Sequence, residues 1–115
     1  MGGFIGKILK VDLARGKVEI ETLSEAFYRK WFGGYGLGVK SVYSGTRPKT
    51  DPLGSGNIIG FTTGILTGTL VPFSGSFTAV GKSPLTGTWG DSRGGGFFGS
   101  ELKLTGFDAF FFHGK

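Results

Sequence analysis

The 115-residue chain carries 24 glycines, 12 phenylalanines and a formal net charge of +5, with no cysteine. That length fits one domain with a modest core, and the missing cysteines exclude disulfides, thiol nucleophiles and thiolate-held clusters within these residues. No run of about 18 apolar residues could span a membrane.

The start, MGGFIGKILKVDL, has no apolar leader with a cleavage site, and Gly6 stands where myristoylation needs Ser or Thr. No membrane partner is expected, and the expected location is cytoplasmic. Phe4–Leu13 alternates as a strand, Ala14-Arg15-Gly16 turns, and Lys17–Leu23 alternates polar and apolar residues. This predicts a β-hairpin with one solvated face. Ser24 is suited to cap a short helix, with Glu25 at the positive end of its dipole. Ala26, Phe27, Lys30 and Trp31 follow, and Gly33-Gly34 closes that helix. Leu37–Tyr43 predicts a second helix that buries Leu37, Val39, Val42 and Tyr43. Ser44–Asn57, with Pro48 and Pro52, reads as a loop. Ile58–Thr63 is a continuous apolar run and predicts a buried strand.

Phe77–Lys82 and Thr88–Asp91 predict further strands. Phe97–Leu104 has helical spacing and stops at Gly106, and Ala109–His113 predicts a last, strongly apolar strand. Short connections favour antiparallel pairing. The fold class expected is therefore α+β, a mostly antiparallel β-sheet with two or three short helices and no complete Rossmann unit. Residues 1–115 form a single domain or a fragment of something longer. Phe110 and Phe112 lie on one side of the last strand and Phe111 on the other, so it has no solvated face. Self-association of the isolated chain is expected through that strand or through a sheet surface left uncovered.

The stretch from Pro72 to Gly99 alternates short strands with glycine clusters. Each glycine inside an element costs roughly 0.5–1 kcal/mol relative to alanine, so such density points to close backbone approach. Gly94-Gly95-Gly96 can expose successive N–H groups, an arrangement suited to anionic oxygens and above all to phosphate. Gly81-Lys82-Ser83 imitates the end of a nucleotide-triphosphate loop, but Ser76 holds the position where that loop needs glycine. Gly94–Gly99 satisfies the dinucleotide pattern G-x-G-x-x-G. The strand after it ends in His113-Gly114-Lys115, without the carboxylate that a ribose would require.

Catalytic groups are sparse. His113 is the only histidine and lies in an apolar strand, which favours a structural role. Asp12, Asp51, Asp91, Glu101 and Asp108 show no paired spacing. Asp91 ranks first among them for function because it precedes the glycine run, where it could hold an ion or simply form an Asx turn. Lys82 reads as a surface residue and Glu101 as solvated. No catalytic residue and no metal ligand is assigned within the chain. Basic residues are scattered and the phenylalanines lie in apolar runs, unlike the exposed aromatics of single-strand binders, so no nucleic acid is expected.

Several segments in fixed order carry a resemblance: Lys30–Gly38 (KWFGGYGLG), Leu66–Thr69 (LTGT), Lys82–Gly87 (KSPLTG), Gly95–Lys103 (GGFFGSELK) and Gly106–Ala109 (GFDA) before Gly114-Lys115. Together they resemble the N-terminal region of the aldehyde ferredoxin oxidoreductase family, tungsten-pterin enzymes of archaea and anaerobic bacteria. The resemblance covers almost the whole chain. It implies a β-rich base under a tungsten (or molybdenum) bis-pterin cofactor, with Mg bridging its phosphates. It further implies oxidation of an aldehyde to a carboxylic acid, with electrons leaving through a [4Fe-4S] cluster to ferredoxin. The cluster cysteines lie downstream in the family, so the remainder of a parent enzyme is an implied partner and this segment alone is not a competent enzyme.

By position the resemblance places pterin contacts on Ser76, Arg93 and Gly95, flanked by Gly94 and Gly96. Ser76 stands where the family has arginine, and Arg93 where it has asparagine. The competing expectation is a free-standing phosphate- or anion-binding module, or an assembly module, without catalysis of its own.

Overall fold

Asp12 turns the chain at the first hairpin. In the computed structural model, which describes residues 3–114, its Oδ1 accepts from the N–H of Ala14 at 3.0 Å. Gly16 supplies the left-handed angle (φ +65°) that the turn requires. Strands β1 (Lys7–Asp12) and β2 (Lys17–Thr22) pair antiparallel across it. β1 starts later than the alternation predicts. The N–H groups of Ile5 and Gly6 donate to the carboxylate of Asp108 instead of entering a ladder.

Helix α1 (Glu25–Trp31) begins as predicted, with Ser24 Oγ accepting from Phe27 N–H at 3.2 Å. Helix α2 (Tyr35–Gly45) is longer than expected and buries a different stripe. Leu37, Gly38 and Val42 face inward, while Val39 and Tyr43 are exposed, at 40% and 84%. The reason lies at Gly38, where an added Cβ would stand 2.9 Å from Val80 Cγ1. The smallest side chain sets the line of closest approach, so the bulky Tyr43 turns outward.

The remaining elements are β3 (Ile58–Thr63), β4 (Phe77–Lys82), β5 (Trp89–Gly94), α3 (Phe98–Leu104) and β6 (Ala109–His113). They complete one six-stranded sheet of order β2-β1-β6-β3-β4-β5. Every neighbouring pair is antiparallel except β1 and β6, which run parallel. The α+β class with a mainly antiparallel sheet is thus observed. β5 is shifted from the predicted Thr88–Asp91 and carries Arg93 and Gly94 in its ladder, opposite Thr78 and Phe77.

Alternation sorts the strand residues between two faces. Ile8, Val80, Ala109 and Phe111 lie on the face covered by α1 and α2, where they meet Leu37 and Val42 in the core. Gly60 lets Phe111 lie flat across β3, since a Cβ there would stand 2.5 Å from Phe111 Cε1. The opposite face carries Leu9, Val11, Val18, Ile20, Ile59, Phe61, Phe110 and Phe112, aligned by register. α3 reaches only one end of it, where Phe98 meets Phe61 and Phe77 edge-on at 6.0 and 4.6 Å.

Candidate functional site

The residues predicted as cofactor contacts converge at one corner of the sheet. The register sets Phe77 against Gly94 and Thr78 against Arg93, so one further step brings Ser76 beside Gly95. Chain segments crowd together here. A Cβ on Gly75 would stand 3.0 Å from the carbonyl oxygen of Gly96, and one on Gly99 would stand 2.6 Å from that of Gly75. The three glycines of the run then separate by cause. A side chain on Gly94 would collide with the ring of Phe77, so side-chain packing explains this glycine. Gly96 has a left-handed φ of +82°, so conformation explains it.

Gly95 has neither reason. Its φ is not left-handed, and its Cβ direction meets nothing within 4 Å. Among the described residues the amides of Gly95 and Gly96 donate to no acceptor. Two unspent N–H groups beside an open surface form the kind of cradle that takes an anionic oxygen. Ser76 is exposed at this corner, and its backbone carbonyl accepts from Thr67 Oγ1 at 3.3 Å.

Arg93 supplies the positive charge. Its guanidinium lies 4.8 Å from the centre of the Tyr35 ring, and among the described residues it has no carboxylate partner. Asp91 does not cap the glycine run, as an Asx turn would. It stands in β5, where Oδ1 accepts from Tyr35 Oη at 3.0 Å and Oδ2 from Trp89 Nε1 at 2.5 Å. Trp89, Asp91 and Arg93 alternate onto the α2 side of the sheet, and Tyr35 meets them there as the first residue of α2.

The other singled-out residues lie elsewhere. Lys82 is half-buried and holds the carbonyl of Thr50 at 2.5 Å, fixing the Ser44–Asn57 loop, so it is more than a surface residue. Glu101 is exposed on α3. His113 lines a cavity of about 500 Å³ between the first hairpin and α2, together with Lys10, Glu21 and Ser44. Lys10 and Glu21 already pair there at 2.5 Å, and the cavity does not touch the glycine corner. Among the described residues no group of three or more His, Asp or Glu side chains could hold a metal ion.

Sequence reasoning missed the role of Asp108. It is 1% exposed and accepts from Ile5 N–H, Gly6 N–H and, at 2.5 Å, Tyr28 Oη. Lys103 Nζ lies 3.6 Å from its Oδ1 and also donates to the carbonyls of Gly3 and Gly64. Burial raises the Tyr28 phenol pKa, and the neighbouring Asp108 raises it further. Burial lowers the Lys103 pKa, partly opposed by Asp108. The one available signal was a lysine in a short helix, followed five residues later by an aspartate abutting a phenylalanine-rich strand.

Comparison with known proteins gives a consistent answer. Residues 8–115 match the family model described as aldehyde ferredoxin oxidoreductase, N-terminal domain. The chain is 44% identical over 115 residues to the tungsten-containing aldehyde ferredoxin oxidoreductase of Pyrococcus abyssi and 41% identical to that of Thermococcus kodakarensis. It is 38% identical over 118 residues to the aliphatic sulfonate oxidoreductase, WOR-like subunit, of Pyrococcus furiosus. In each case all of this chain is covered but only 19% of the relative. Among solved structures, the active site complex BamBC of benzoyl coenzyme A reductase in complex with 1,5-dienoyl-CoA superposes with a TM-score of 0.95 at 30% identity. That match covers 99% of this chain and 18% of the other.

Proposed function

Because the chain belongs to the aldehyde ferredoxin oxidoreductase N-terminal-domain family, we propose that it supports one side of a tungsten-pterin cofactor in a longer cytoplasmic oxidoreductase. In this reading the parent enzyme oxidises aldehydes to carboxylic acids and passes the electrons through a downstream [4Fe-4S] cluster to ferredoxin. The bound group supplies the two-electron redox chemistry. The residues of this chain bind and orient it: the Gly95 and Gly96 amides take phosphate oxygens, Arg93 contributes charge, and Ser76 offers a hydroxyl at the same edge.

The observation that carries this reading is Gly95, a glycine required neither by its backbone angle nor by its neighbours. A ligand lying against the backbone accounts for it. A phosphate oxygen sits about 2.9 Å from an N–H donor, and any side chain there would intervene. Gly95→Val in the full-length enzyme is expected to abolish tungsten loading while leaving circular dichroism unchanged. Arg93→Ala is expected to cost about 1–3 kcal/mol of cofactor binding, one charge-assisted hydrogen bond. A folded Gly95→Val enzyme with normal tungsten content would sink the assignment.

A further inference from the structure

Arg93 is exposed, yet three contacts restrict where it can go. Its guanidinium stacks on Tyr35 at 4.8 Å. Tyr35 is itself fixed through Oη to Asp91 Oδ1 at 3.0 Å, and Asp91 is fixed through Oδ2 to Trp89 Nε1 at 2.5 Å. Both carboxylate oxygens are therefore engaged by neutral donors. The nearest acid on the same strand is occupied, and among the described residues Arg93 forms no salt bridge.

A guanidinium lying on an aromatic face keeps its N–H edges in the plane and free, the geometry that forks onto a phosphate. Gly95 follows Arg93 by two residues, one step past the end of β5 at Gly94, so the free edge and the open amides lie at the same end of the strand. We propose that Tyr35, locked by Asp91 and Trp89, is a positioning residue that holds Arg93 as an unpaired cation for a phosphate group at the Gly95–Gly96 corner. The proposal rests on the phosphate-binding reading given above. It adds the reason why an arginine on β5 can serve: its side-chain entropy is largely spent before the ligand arrives, so less affinity is lost on binding.

The test uses the cofactor-free full-length enzyme, with inorganic pyrophosphate as probe and titration calorimetry at two salt concentrations. Arg93→Ala should weaken binding by about tenfold, the loss of one charge-assisted contact, and should flatten the salt dependence. Tyr35→Leu, which removes the platform, should reproduce most of that loss. The double variant should be no weaker than Arg93→Ala alone, because both changes remove the same contact. Tyr35→Phe and Asp91→Asn keep the ring and the fold, so they carry the test should Tyr35→Leu fail to fold. Each should give a smaller loss than Tyr35→Leu.

Tungsten content of the same variants, expressed with cofactor, should follow the same order. The positioning role is overturned if Tyr35→Leu, Tyr35→Phe and Asp91→Asn all bind like the unaltered enzyme while Arg93→Ala is weak; the phosphate reading then stands. It is equally overturned if the double variant is weaker by the product of the two single losses. If Arg93→Ala and Gly95→Val both bind pyrophosphate normally, the phosphate reading and the positioning role fall together.

Discussion

Asp108 is the centre of a buried polar cluster just ahead of β6. It satisfies two backbone N–H groups and the Tyr28 hydroxyl, and it balances the Lys103 ammonium. Asp108→Ala would strand all of these in the interior, with an expected loss of more than about 3 kcal/mol, the usual cost of breaking a buried pair from one side. Urea unfolding of the full-length protein would measure it. The same cluster sets an alkaline pH dependence. Tyr28 has a raised pKa when folded, so its contribution is complete below about pH 10, the ordinary phenol value. Above that the unfolded chain ionises while the folded one stays protonated, and stability falls. Lys103 acts in the opposite sense. Its lowered folded pKa means that the unfolded state holds the extra proton just below pH 10.5, so its share of stability rises with pH there. Tyr28→Phe removes only the first contribution. The thermal midpoint of the unaltered protein should therefore fall more steeply above pH 10 than that of Tyr28→Phe, and parallel slopes would refute the assignment.

Among the elements, α2 shows how a close approach reverses an ordinary propensity. Gly38→Ala in a helix interior normally gains about 1 kcal/mol. Here the new methyl would stand 2.9 and 3.1 Å from the two Val80 methyls, with Val80 itself 2% exposed in the core. Overpacking of this kind costs about 1–3 kcal/mol, so Gly38→Ala should destabilise, and the pair Gly38→Ala with Val80→Ala should recover part of the loss. Chemical denaturation of the four-member cycle reads this coupling. The same glycine explains what was legible in the sequence. The polar–apolar alternation of β2, the apolar runs of β3 and β6 and the Ser24 cap were readable because their causes are local. The buried stripe of α2 was not, because it depends on which β4 side chain lies beneath. The parallel β1–β6 pairing joins Ile8 to Ala109, across nearly the whole chain, and no local pattern announces it. At the candidate site, glycine density pointed to residues 94–96, and only the family resemblance added Ser76 and Arg93. Neither could separate Gly94, needed for Phe77, from Gly95, needed by nothing in the fold. Nor could they show that Asp91 serves Tyr35 and Trp89.

For the molecule as a whole, the decisive asymmetry lies between the two faces of the sheet. α1 and α2 cover one. On the other, Ile20 pairs with Leu9 and Leu9 with Phe110, while Val18 pairs with Val11 and Val11 with Phe112, and the rows continue through Phe61 and Ile59. Val18 and Ile20 are each 60% exposed and Ile59 is 49% exposed. Contiguous apolar surface beyond a few hundred Å² is uncommon on soluble monomers, and this chain amounts to only 19% of the length of its curated relatives. Cut off from a parent polypeptide, the segment should bury this face against a second copy. Sedimentation of residues 1–115 is therefore expected to show a dimer or larger species. Replacing both Val18 and Ile20 with Lys should shift it toward monomer at unchanged circular dichroism, since neither side chain belongs to the core. The alternative is association through the unpaired outer edge of β2 or β5, which those lysines would leave intact because their side chains project from the face. A clean monomer for the unaltered segment at high concentration would refute association altogether, and a dimer indifferent to the two lysines would move it to the edges.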